Sequence, residues 1–556
     1  DKTFTKQVLY YPEWDDTKNT KILDGTKNMD LTEVRNDSHS YTTQLFGNYA
    51  KEFNEHNINV MLGYEEFYYF YESLTSSSGQ YALPYYPYLD AGPKNLLDSS
   101  GDAIENSYRS YFGRLMYNWK SKYFLQANLR RDGSSRFHAD YRWGTFPSFS
   151  AGWMMSEEGF MKNIAFISSL KFRGSWGQLG DERIGNYTYQ SYITFNNPTL
   201  YIGSTPSSLQ GASAYQYVIK DKTWETTTTT DIGLDLSVLN GRLRLSGDYY
   251  WKDTKDMLLL VNIPIFMGYS DPYQNIGKMK TKGWDFEIGW NDKIGDLTYG
   301  VNFNIYDYKS TMGYLKNTLQ DNKSAWTLIR EGDEYLSYYG YLSDGIYQTG
   351  DELGAVTSAV VGAGDIRYKD ISGPDGVPDG IISSEYDRVV LGSSLPRFNY
   401  GGSVNIAYKG IDLDLTFQGV GKKKAIMTEQ MAQPIRADWY NVPEIIVGKY
   451  WSNYNTEEQN RAAIYPRVMR NANANNYVAS DFWLFDGSYF RVKNITLGYT
   501  LPRRIVEKVQ LKNVRIYTSL QDIFTISDYP KGWDPEVSST GYPITKSVMF
   551  GMSIKM

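Results

Sequence analysis

Cysteine is absent from the 556 residues, histidine occurs only three times, and no apolar run reaches the roughly 18 residues that a transmembrane helix needs. The missing cysteine excludes disulfides and thiolate zinc sites, and it suits a chain that crosses an oxidising compartment. The short apolar runs exclude bilayer-spanning helices but not bilayer-spanning strands. A net charge of -6 without a basic stripe argues against nucleic acid as a partner. His39, His56 and His138 are isolated from one another, and no GxSxG, HExxH or glycine-rich phosphate loop in its proper context occurs. Ser135 lies near His138, but Arg131 to Ser134 reads as a polar turn, so the reading is not that of an enzyme. Neither a signal peptide nor an initiator methionine opens the chain, which sets the expectation that something upstream lies outside it.

Aromatic residues are abundant instead: fifty tyrosines and fourteen tryptophans, in a chain of mean hydropathy -0.50. They fall in a period-two pattern. Leu234, Leu236 and Val238 alternate with Asp235 and Ser237; after Asn240-Gly241, Leu243, Leu245, Gly247, Tyr249 and Trp251 alternate with Arg242, Arg244, Ser246 and Asp248. Such alternation marks strands with one apolar face, and Asn-Gly between two of them is a strong hairpin signal. The same pattern recurs along the chain, for example in Ile58 to Tyr64, Tyr111 to Trp119, Trp284 to Trp290, Ile411 to Phe417 and Val548 to Met556.

The connections between strands sort into two classes in strict alternation. Short ones lie near 54–57, 120–122, 156–168, 240–241, 292–296, 409–410 and 501–511. Long ones lie at 73–107, 132–142, 179–222, 257–278, 309–397, 422–486 and 523–545. A meander with turns at one end and long loops at the other is the outer-membrane barrel pattern, in which about 9–11 residues cross the bilayer. The apolar face of 234–251 therefore touches lipid, while Asp235, Arg242, Arg244 and Asp248 face a wet lumen. Aromatics near the strand ends, Tyr68 to Tyr71 and Trp119 with Tyr123 among them, suit interfacial girdles. The rival architecture is a soluble β-protein with a two-sided core.

Several stretches carry a family resemblance. LRRDGSSRF (129–137), RWGTFPSFSAGWMMSEEGF (142–160), LKFRGSWGQLGDERIGNY (170–187) and YKDISGPDGVPDGIISSEYDRVVLGSSLPRFNYG (368–401) resemble SusC-like TonB-dependent transporters. So do SDFWLFDGSYFRVKNITLGYTLP (480–502) and LQDIFTISDYPKGWDPEV (520–537). The resemblance covers most of the chain from about residue 107 onward. It implies an all-β fold, an antiparallel transmembrane barrel of about 22 strands closed by an N-terminal plug, in the outer membrane of a Gram-negative cell. Fifteen strands from 41–53 to 546–556, with a sixteenth candidate at 3–11, place residues 1–556 as the C-terminal portion of such a barrel. The plug, the TonB box and the first strands are then expected outside this chain. By the same resemblance the function is energised import of large nutrients, oligosaccharides or peptides. The implied partners are a SusD-like surface lipoprotein, TonB through the N-terminal region, and outer-membrane lipid. The other readings are a passive porin and a surface adhesin or binding protein. The terminal Met556 departs from the aromatic end common in such barrels, and Phe550 keeps the alternation.

Two features bear on sites. Asp370, Asp375, Asp379 and Asp387, with Ser372 and three glycines between them, form a candidate loop for a structural Ca²⁺, since closely spaced carboxylates and sharp turns can wrap a hard cation. Pro374 interrupts the spacing, Ile381 stands where a bidentate Glu would be expected, and the same residue types build ordinary surface loops. No other cofactor is implied. Aromatic clusters at Tyr81, Tyr85, Tyr86 and Tyr88, at Tyr335, Tyr338, Tyr339 and Tyr341, and at Trp439, Tyr440 and Trp451 have three readings: sugar stacking, partner contact, or small cores of the loops themselves. Substrate-binding residues are not identified by the sequence.

Overall fold

The computed structural model describes residues 2–10, 13–15, 20–22, 29–79, 88–196, 199–202, 205–208, 211–214, 216–261, 263–315, 326–428, 431, 433, 442–469, 475–538 and 541–555. One antiparallel sheet of sixteen strands dominates it, and every strand pairs with its neighbours in the chain. The first eight are β1 (Lys2–Tyr10), β2 (Met29–Phe53), β3 (His56–Ser78), β4 (Leu97–Trp119), β5 (Tyr123–Ser134), β6 (Trp143–Met154), β7 (Ile167–Asp181) and β8 (Glu225–Val238). The remainder are β9 (Leu243–Leu260), β10 (Tyr273–Ile294), β11 (Leu297–Met312), β12 (Arg397–Tyr408), β13 (Ile411–Lys422), β14 (Tyr489–Thr500), β15 (Asn513–Ser527) and β16 (Ser547–Lys555). The expected strand at 3–11 is thus β1, and β1 and β16 lie at the two ends of the sheet. Among the described residues no helix is long and apolar enough to cross a membrane.

The short turns follow from left-handed positions in the sequence. Lys409 and Gly410, both at positive φ, join Tyr408 to its direct partner Ile411, the two-residue geometry whose twist matches that of the strands. Asn54 serves between Phe53 and His56, and Asn240-Gly241 between Val238 and Leu243. At the opposite end the connections are long, with 313–396 and 423–488 the longest.

Side chains sort cleanly by face. Val404, Leu415, Ile495, Leu520 and Val548 stand side by side in register across five strands, an apolar row of the outer face. The row behind it is polar: Asp235, Ser246, Glu287, Asn304, Gly401, Gln418 and Arg491 are successive partners from β8 to β14. The outer face is bare rather than packed against a second layer, with Leu45, Leu62, Phe149 and Phe550 all more than half exposed. That excludes the two-sided soluble core, because apolar rows this extensive need an apolar medium.

One expectation is corrected. The strands β2, β3 and β4 run 25, 23 and 23 residues, well beyond the about 9–11 that cross the bilayer. Most of the expected loop 73–107 is strand, with Ser73 paired to Asp102 and Ser78 to Leu97. These segments are rich in Ser, Thr and Asp on both faces, so no alternation announces them; backbone pairing alone carries the ladder. Tyr68 to Tyr71 consequently lie inside β3 rather than at its end. On the outer face of β3, Ile58, Val60, Leu62 and Tyr64 are followed by Glu66, which pairs with Arg109 at 3.1 Å. Ten residues separate His56 from Glu66, about 25 Å along the normal at a tilt of about 40°, the height of an outer-membrane apolar band. The aromatic group therefore sits at the outer interface, and the strands continue above it.

Candidate functional site: the luminal wall and the loop crown

The polar face carries charge in organised groups. Arg173 on β7 donates through Nε to Asp235 Oδ2 at 3.1 Å and through Nη2 to Ser246 Oγ at 3.3 Å, and it also pairs with Asp248. Asp231 lies 3.9 Å away. One guanidinium thereby cross-links three strands, and beside it opens a cavity of about 810 Å³ lined by Asn59, Asn118, Gln126, Ser150 and Lys171. The luminal assignment of Asp235 and Asp248 holds, and Arg173 is the residue that sequence reading missed. Its partners lie 62 and 75 residues away, so only the register reveals them.

A second group closes the last long loop against the wall. Arg491, buried on β14, donates to Asp534 Oδ2 at 2.8 Å and to Thr525 Oγ1 at 3.0 Å, and its Nη1 lies 3.1 Å from Glu536. Lys493 reaches Asp522 at 2.6 Å and Glu536 at 3.1 Å, and Gln418 donates to Glu536 at 2.9 Å. Lys493 can reach these groups because the β14–β15 register shifts between Val492 and Asn494, a bulge that re-aims one side chain. Burial pushes the Asp534 carboxyl up, but Arg491 and the backbone amides outweigh it and hold that carboxyl below the ordinary Asp value.

The two longest loops build a crown with its own core. Tyr341, Ile366, Tyr368 and Ile382 from 313–396 pack with Ile446, Tyr465 and Trp483 from 423–488. Asn475 and Asn476, both buried, stitch them together: Asn476 Oδ1 accepts from the Ile366 amide at 2.9 Å, and Asn475 Nδ2 donates to the Ile366 carbonyl at 2.8 Å. Tyr368 donates to the Asn475 carbonyl at 2.8 Å, and burial raises its phenol above the usual range. The aromatic clusters read from the sequence are therefore divided. Tyr341 serves the crown core, and Tyr338 and Trp451 are buried outside that cluster, so none of the three is available for stacking on a ligand. Tyr339 is occupied by Arg388, 4.4 Å from its ring. Tyr88 is exposed. Tyr81, Tyr85, Tyr86, Trp439 and Tyr440 lie outside the described residues.

The four aspartates expected to form a calcium loop are not brought together. Asp387 is fully buried and accepts from the amides of Ile371 at 2.8 Å, Ser372 at 3.3 Å and Ser383 at 2.7 Å. Asp370 accepts from the Gly380 amide and Asp379 from that of Ile381, while Asp375 stands exposed. Among the described residues no three His, Asp or Glu side chains are placed to hold a metal ion. Backbone amides take both oxygens of Asp387 and one each of Asp370 and Asp379, so these three carboxylates brace a turn, while Asp370 Oδ1 is buried without a hydrogen-bond partner among the described residues. The histidines are likewise separate: His39 lies against Phe70, His56 against Tyr117, and His138 against Tyr189.

A meander with a bare apolar outer face, a charged and amide-rich inner face, short turns at one end and a loop crown at the other is an outer-membrane β-barrel wall. The TonB dependent receptor-like β-barrel family model matches residues 2–521, and the chain belongs to that family. It is 31% identical over 529 residues to TonB-dependent receptor P3 of Formosa agariphila, a match covering 91% of this chain and 50% of that protein. TonB-dependent receptor SusC of Bacteroides thetaiotaomicron is 27% identical over 559 residues, covering 95% of this chain and 51% of SusC. The chain thus spans about half the length of the curated relatives it matches. Among solved structures, the RagAB peptide transporter shares the fold with a TM-score of 0.80 at 22% identity, over 100% of this chain and 59% of its own.

Proposed function

We propose that this chain forms the wall and loop crown of a SusC-like importer, energised through TonB, that carries oligosaccharides or peptides across the outer membrane. The observation that carries this reading is the crown itself: two loops fold into a shared core above a polar lumen, in a barrel of the TonB-dependent family. A passive pore has no use for a structured crown of this size, and an adhesin has no use for a charged luminal wall. A SusD-like surface lipoprotein is the partner this reading requires, seated on the crown, and the parts of the relatives beyond the matched half would supply plug and TonB contact. The test uses the full-length protein in its native host. Uptake should vanish when TonB is deleted, and mild detergent should co-extract a lipid-anchored companion in near-equal amount. Uptake that survives loss of TonB, or liposome swelling as fast as a general porin gives, would overturn the reading.

A further inference from the structure

The outer face of β3 to β6 is not evenly clothed. Leu62, Gly113, Leu129 and Pro147 stand opposite one another in one row, and Val60, Leu115, Ala127 and Phe149 in the next. Gly113 and Ala127 are diagonal neighbours, so the cover of bulky side chains breaks at the same place in both rows. A groove of about 700 Å³ opens there, within the size range of small-ligand sites. At its upper end Arg131 stands opposite Tyr111 and is the only charged side chain of that face in the lining. Its guanidinium lies 5.4 Å from the Trp143 ring, which stacks on Tyr111 at 6.0 Å. Among the described residues Arg131 has neither a carboxylate nor a hydrogen-bond acceptor, whereas Arg109, further up β4, is paired with Glu66. Eight residues separate Arg131 from Tyr123 at the start of β5, about 20 Å along the normal at a tilt of about 40°. In an apolar band of about 25 Å this places the guanidinium by the headgroups of the outer leaflet, with the groove beneath it.

We propose that this groove holds one phosphorylated, acylated saccharolipid of the lipid A type, with an acyl chain along the groove and a phosphate on Arg131. An unpaired cation at this depth gains nothing until an anion meets it, and the guanidinium fork matches a phosphate with two parallel hydrogen bonds. Trp143 covers one face of the fork and leaves its N–H edge free to donate. Packing rather than the hydrophobic effect holds the chain, because a filled groove recovers contacts that a gap forfeits. Height selects the source of the phosphate: a phospholipid of the inner leaflet keeps its own about 20 Å lower, beside Tyr123. A second copy of this chain fits less well, since a two-fold contact through the groove would bring two unpaired guanidiniums together. The inference needs the barrel wall but not the importer reading.

The experiment is native mass spectrometry of the purified full-length protein, mixed with monophosphoryl lipid A, its dephosphorylated form, or phosphatidylglycerol. One monophosphoryl lipid A should stay bound per barrel under conditions that strip the other two lipids. Arg131→Gln removes the cation and Ala127→Phe fills the groove; each should weaken binding about tenfold, and Arg131→Lys should fall between. Leu415→Phe, on the outer face of β13, should change nothing. These substitutions leave the lipid-facing side as apolar as before or more so, and heat-modifiability on a gel checks that each barrel is folded. Retention of either other lipid to the same extent, or unchanged lipid A binding in either Arg131→Gln or Ala127→Phe, overturns the site. A dimer that Ala127→Phe splits, with lipid A binding intact, gives the groove to a second copy and overturns it as well.

Discussion

Arg467 and Asp365, 102 residues apart, meet in a two-pronged pair: Nε donates to Oδ1 and Nη2 to Oδ2, both at 2.7 Å. Asp365 is fully buried, whereas the Arg467 side chain keeps about a third of its surface. The pair ties the first crown loop to the second, and its two ends are unequal. Removing the arginine strands a buried carboxylate, while neutralising the aspartate leaves a cation that water can reach. Arg467→Ala should therefore destabilise the crown by about 3 kcal/mol, the low end for a broken buried pair, and Asp365→Asn by less. Hydrogen exchange over 340–370 and 475–485 should report the loss, with the strands of the sheet unchanged.

The two faces of the sheet make opposite demands on charge. Leu234 lies on the outer face beside Phe172 and Gly247, four residues above the end of β8. Leu234→Arg should cost about 2–4 kcal/mol of barrel stability, the figure for a cation near the bilayer midplane. Arg244→Leu, on the wet face opposite Ser237, should cost far less. The fraction of heat-modifiable, folded barrel on a denaturing gel separates the two; equal tolerance would count against the assigned faces.

The latch between Arg491 and Asp534 sets a pH dependence. The Asp534 carboxyl sits below its ordinary value in the folded protein, so it binds fewer protons there than in the unlatched loop. Its contribution is complete above the ordinary Asp pKa of about 3.9 and is lost as the pH falls through the folded value. Protease sensitivity of 528–538 should be flat from about pH 8 to about pH 5 and rise only below about pH 4. Arg491→Ala should abolish the plateau, because Asp534 then titrates without its cation.

Asp387 supports a fourth test. Replacing it with Ala leaves three amide donors, of Ile371, Ser372 and Ser383, without their acceptor. An orphaned buried donor costs about 1–3 kcal/mol. Residues 370–388 should lose protection from exchange in Asp387→Ala and should be indifferent to calcium or a chelator. Ordering of the loop by added calcium, with one ion bound per chain by metal analysis, would restore the cation reading of Asp370, Asp375 and Asp379.

Most of the wall was legible because its signals are local. Alternation at Leu243 to Trp251 or Ile411 to Phe417 needs only neighbouring residues, and so do the turns at Asn240-Gly241 and Lys409-Gly410. The upper parts of β3 and β4 were not legible, since Ser73 to Ser78 alternate nothing and their pairing with Leu97 to Asp102 is a property of two segments together. The inner wall failed for the same reason. Arg173, Asp235 and Asp248 look like three ordinary polar residues until register sets them side by side. In the crown, composition flagged the right loops but not the right residues: the tyrosines turned inward, and two plain asparagines at 475 and 476 do the joining.

The unequal strand lengths set the shape of the rim. At about 3.3 Å per residue and a tilt of about 40°, the 23 residues of β3 rise about 58 Å, whereas the 12 of β12 rise only about 30 Å. The apolar band accounts for about 25 Å of either. The rim is therefore oblique, a stiff palisade on one flank and a low sill on the other, and both long loops spring from the sill. Paired backbone thus walls the mouth along β2 to β4, and two folded loops with a common core wall it on the opposite flank.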